Sequence, residues 1–176
     1  MKETCLLFAQ YHQEANQKVL SVLRTLTPEE REKARGSYYG SLSALARHIV
    51  EGTRFLQGLL KGTIGHKTPQ VFAAQEVLAI PQDTAEDAQW NALATAFETL
   101  DAGLIQLVSA LEEPDFSLPV PIQWYGGNPA TVPVYFLLHQ LIMHGVHHRG
   151  QISQILDELK IDNDYSGINV ALLPLP

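Results

Sequence analysis

Four histidines stand within one ten-residue stretch, at positions 139, 144, 147 and 148. Neutral imidazole titrates near physiological pH and is a good ligand for zinc, nickel, copper and iron. His144 and His148 are four residues apart, so on a helix they are surface neighbours able to share one cation. At 100° per residue, with Val134 at zero, Leu138, Leu141, Ile152, Leu156 and Leu159 fall within about 40° of one line and define an apolar stripe. His148 lies inside the stripe at about −40° and His144 on its edge at about −80°, whereas His139 and His147 point to the opposite side. A usable centre needs a third protein ligand and an open position. His48, beside Leu45 and Ile49 on another apolar stripe, is the best candidate, while His12 and His66 remain possible from spacing alone.

A single histidine on a core edge is ordinarily a hydrogen-bonded core residue. The pair is harder to explain that way, because burying two imidazoles without partners is costly. His139 and His147 read as surface residues or part of a self-association face. Arg149 reads as a helix–helix or subunit contact, and Gly145 as a place where a neighbouring backbone comes close. Trp90, Phe97, Tyr135 and Phe136 read as core.

These residues need long helices to position them, and the periodicity predicts four, over about residues 4–26, 37–60, 84–111 and 131–160. Thr27-Pro28 suits the start of a short extra turn. Thr84 or Asp83 suits the cap of the third long helix. Pro133 fits the first turn of the fourth. A long connection over 62–83 holds one or two helical turns within Val71–Ile80. The piece Phe116–Tyr125, followed by Gly126-Gly127-Asn128, suits a small hairpin, and residues 162–176 read as a tail. The short first link and long second one predict an all-α, four-helix bundle with a crossover between helices two and three, as one domain over 1–176.

The formal charge of −7 and scattered basic residues argue against sequence-independent nucleic-acid binding. One cysteine, Cys5, excludes an internal disulfide and a thiolate-rich zinc site. The opening MKETCLLFAQ turns polar too soon for a signal peptide, and no run of about 18 apolar residues suggests a membrane span. A cytoplasmic protein is expected.

The run His144-Gly-Val-His147-His148-Arg149-Gly150-Gln151 resembles the hallmark of the DinB/YfiT-like superfamily: a histidine, three residues, then His-Arg-Gly-Gln. Tyr11…Ala15-Asn16…Leu20 and Gly36-Ser-Tyr-Tyr-Gly-Ser41…His48 are similar to that family's first and second helices. The resemblance implies a bacterial four-helix bundle with a crossover, commonly a homodimer, whose metal ion is held by one helix-two and two helix-four histidines. Carried onto this chain, those are His48, His144 and His148. His12 stands where the family often has asparagine.

The family implies either thiol-dependent S-transfer, with a low-molecular-weight thiol and a small electrophilic substrate, or isomerase-like or hydrolase-like chemistry. The expected cofactor is one divalent ion: zinc, nickel or iron. Gln151, Tyr38 and Tyr39 are suggestions for residues that assist. A non-catalytic, metal-binding, self-associating stress protein is the competing expectation. The missing Glu-x-x-His pairs argue against a ferritin-like di-iron role.

Overall fold

Apolar residues at helical spacing fold into six α-helices in this computed structural model, which describes residues 1–123 and 127–172. Four are long: α1 (Lys2–Arg24), α3 (Leu42–Ile64), α5 (Asp87–Ala110) and α6 (Val134–Glu158). Two are short: α2 (Pro28–Glu32) and α4 (Pro69–Glu76). The strands β1 (Pro119–Gln123) and β2 (Pro129–Pro133) make one small antiparallel sheet. No described helix is long and apolar enough to cross a membrane.

Local chemistry sets several of the boundaries. Thr27 caps α2 through a capping box with Glu30, and Pro28 occupies its first turn. α3 begins later than the periodicity suggests. Gly36 and Gly40 adopt φ of 70° and 85°, a left-handed conformation that suits glycine. A Ser37–Gly40 bridge then closes a tight turn, and Ser41 starts the helix by accepting from Ala44 N–H at 3.1 Å. This turn presents Tyr38 and Tyr39.

The start of α6 is likewise later than expected. Residues 129–133 pair with 119–123, Val120 opposite Val132, so Pro133 caps the helix instead of lying in its first turn. The expected hairpin is real, but its second strand takes in residues 131–133, which were expected in the helix, and residues 124–126 of its connection lie outside the described residues. Thr84 does not cap α5. Its hydroxyl donates to Glu32 and accepts from Arg47, and α5 starts at Asp87 without a side-chain cap. The segment after α6 is not a free tail as far as it is described: Tyr165 is buried and donates to Arg149 O at 3.2 Å. Residues 173–176 lie outside the described residues.

α3 packs most extensively on α6 and α1 on α5, with further contacts between α1 and α6 and between α3 and α5. The core falls into two apolar clusters. One holds Leu23, Leu45, Ile49, Trp90, Phe97, Ile152 and Leu156. The other holds Leu60, Leu104, Leu107, Phe116, Leu137 and Leu141. Along α1, α5 and α6 a polar layer separates them, made of His12, Asn16, Asp101 and Arg149, all at most 2% exposed.

In that layer Arg149 Nη1 donates to Asn16 Oδ1 at 2.8 Å and to His12 Nδ1 at 3.3 Å. The other end of the Asn16 amide donates to both oxygens of Asp101, at 3.1 and 3.0 Å. Asn16 thus joins a buried cation to a buried carboxyl with each end of its dipole correctly turned. A side chain at Gly145 would strike the His12 ring and come within 2.8 Å of Arg149 Nη1. What comes close at Gly145 is therefore an imidazole and a guanidinium rather than a backbone. Arg149 is a helix–helix contact. Phe136, expected in the core, is 43% exposed.

Removing Arg149 would leave Asn16 and His12 without their buried donor. Breaking such a buried charged network typically costs about 3–5 kcal/mol. Arg149→Met should lose about that much in urea unfolding; a loss below about 1 kcal/mol would show that the network does not hold the helices together.

Candidate metal centre

α3 and α6 run antiparallel, with His48 beside His144 and His148, and Gly52 beside His144. A Cβ on Gly52 would fall 2.9 Å from both His144 ring nitrogens and closer still to Cε1. The glycine is therefore the socket into which the His144 ring fits. It lies one turn after His48 on the same face of α3.

The three imidazoles converge. Their ring centroids are 4.9 Å apart for His48–His144, 4.4 Å for His48–His148 and 4.5 Å for His144–His148. One nitrogen from each lies within 4.8 Å of the others. His48 Nε2 and His144 Nε2 face each other at 3.1 Å. A tetrahedral ion with bonds of about 2.0–2.1 Å holds its nitrogens roughly 3.4 Å apart, so little movement would seat a cation between them. His148 Nδ1 donates to Gln151 Oε1 at 2.7 Å, which leaves the Nε2 lone pair for a cation. His144 Nδ1 is buried with no hydrogen-bond partner among the described residues. The donor set fits a divalent ion of the zinc, nickel or iron kind.

The electrostatics suit neutral ligands. Burial first, and then the neighbouring His148, His48 and His147, together lower the pKa of His144 to about 4. Burial also lowers His48, partly offset by Glu51, and lowers His148, partly offset by the Gln151 hydrogen bond. All three are thus held in the form that coordinates metals.

A cleft of about 510 Å³ opens in front of the cluster. Tyr39 stacks on His48 with ring centroids 4.2 Å apart, and its hydroxyl lies 2.9 Å from His48 Nε2. Tyr38 and His147 line the rim.

His147, expected on the opposite side of α6, lies on the cleft rim and meets His148 edge-on at 4.8 Å, whereas the other three histidines lie elsewhere. His12 sits in the buried layer with Arg149, its Nε2 3.6 Å from Asp101, too far for a hydrogen bond. Burial and the Arg149 charge hold its pKa well below the ordinary value. His66 is exposed on the turn after α3. His139 packs edge-on against Phe8 and Tyr135. Gln151 positions His148; an amide so engaged is not a base. Sequence reasoning missed Gly52, whose signal was a glycine in a helix interior four residues after a candidate ligand.

The family model described as DinB family matches residues 1–159. The chain belongs to the DinB family. No curated protein matches it significantly by sequence. The DinB match covers all three clustered histidines, Gly52 and the buried polar layer, and ends before Tyr165.

The pKa of His144 gives a signed pH dependence. An unfolded histidine binds its proton near pH 6.5, whereas folded His144 does so only near pH 4. Between those values the unfolded chain holds the extra proton, so stability falls as pH drops from about 6.5 to about 4. Urea unfolding of metal-free protein should show a smaller loss across this window for His144→Gln than for wild type. Equal losses would mean that His144 titrates normally in the fold.

Proposed function

We propose that this DinB-family chain is a metal-dependent enzyme in which His48, His144 and His148 hold one divalent ion and leave a coordination position facing the cleft. The observation that carries the reading is the convergence of three neutral imidazoles from α3 and α6 at the floor of an open cleft. Such an ion, when bound, lowers the pKa of a bound water or thiol and polarises a substrate. Hydrolase-like chemistry or thiol-dependent S-transfer to a small electrophile is the activity we assign.

The chain's own residues would divide the remaining work. Gln151 fixes the ring and tautomer of His148. Gly52 gives His144 room to turn toward His48. Tyr39 brings a hydroxyl to the ligand edge of His48, where it could hold or pass a proton. Leu56 gives the cleft an apolar wall beside the histidines.

We further read the four long helices as a four-helix bundle, because each contacts two of the others, with the long α3–α5 link as the crossover. The outer face of α6 exposes Phe136, Met143 and Val146, which suits a homodimer.

Metal content is the direct test. Chelator-free wild type should carry about one ion per chain by plasma mass spectrometry, and His48→Ala, His144→Ala and His148→Ala should each carry almost none while keeping their helical circular dichroism. Gly52→Ala should also lose most of its metal. Gly58→Ala, on the same helix but facing open space, should keep it. A wild type that stays empty after reconstitution with zinc, nickel or iron would refute the assignment.

A further inference from the structure

The walls of the cleft carry information about what enters it. Among the described residues that line it, none is Asp, Glu, Lys or Arg. The arginines nearby are turned away. Arg47 donates to Pro81 O at 3.0 Å and to Thr84, and Arg54 donates to Leu78 O at 3.3 Å. Arg149 is buried among His12 and Asn16. The carboxylate that bears on His48 is Glu51, which also accepts from Gln82 at 3.3 Å. A carboxylate or phosphate entering here would give up water without a side-chain cation to replace it.

The rim is aromatic instead. Tyr38 is 94% exposed and meets Tyr39 edge-on at 5.0 Å, and Tyr39 in turn stacks on His48. The turn with two positive-φ glycines holds this row of rings in place. Phe55, 38% exposed, lies one turn beyond Gly52 on α3. The cleft volume suits a small organic molecule.

We propose that the cleft selects an uncharged substrate with an aromatic body, which lies between Tyr38 and Phe55 while its polar head meets the histidine cluster. Tyr38 and Phe55 are then specificity-determining residues. The inference rests on the metal-centre reading above and narrows it to a substrate class.

Three hydroxamates share one metal-binding head and differ only in body, so they separate the two questions. Zinc-loaded protein would be titrated calorimetrically with acetohydroxamate, benzohydroxamate and 4-carboxybenzohydroxamate. Benzohydroxamate should bind at least about tenfold more tightly than each of the others. In Tyr38→Ala and Phe55→Ala its advantage over acetohydroxamate should shrink to about threefold or less. Equal affinities, tighter binding of the carboxylated probe, or an advantage unchanged in both variants would overturn the substrate class while leaving the metal centre standing. Failure of all three probes to bind zinc-loaded protein would overturn both.

Discussion

Arg149 carries a full positive charge into the middle of the molecule, and the way that charge is accommodated governs the orientation of the helix that bears the site. Asn16 relays it toward Asp101, and His12 fills the hollow over Gly145. Burial pushes the Asp101 carboxyl up to about 7, although the Asn16 hydrogen bonds and the Arg149 charge pull it down. The layer therefore balances desolvation against pairing, with the apolar clusters above and below providing the burial. Hydrophobic packing alone permits some rotation and slip between helices. A directional network of this kind permits much less, because a small rotation of α6 would strand a buried donor.

Fixing the rotation of α6 has a consequence on its next face. Arg149 points at α1 while its neighbour His148, and His144 one turn earlier, point at α3. One buried contact thus sets the direction of two clustered imidazoles. α3 completes the arrangement with His48 and with the bare backbone of Gly52, and the same burial that crowds the rings keeps them neutral. The site is therefore assembled by the packing of two antiparallel helices, with the front left to a glycine-bent turn and its tyrosines.

The four long helices and the inward direction of His144 and His148 were legible in the sequence, because a period near 3.6 converts directly into a face. His48 could be ranked first only by its neighbours, and the family motif was needed to choose it over His12 and His66. Other features depended on partners distant in the chain. Residues 131–133 look like a helix start until Val132 is seen opposite Val120. Thr84 looks like a cap until Glu32 and Arg47 claim its hydroxyl. Ser37 looks like a helix start until the positive φ angles of Gly36 and Gly40 bend the chain. Gly52 matters only because His144 lies against it, ninety-two residues later in the chain. Such roles arise from pairs, and a single sequence displays positions rather than pairs.

X-ray absorption at the metal edge of the loaded protein distinguishes an open three-imidazole centre from a closed one. An open centre gives about three imidazole nitrogens near 2.0–2.1 Å with the remaining coordination supplied by solvent oxygen. A shell filled by four protein ligands, or one containing sulfur, would contradict it.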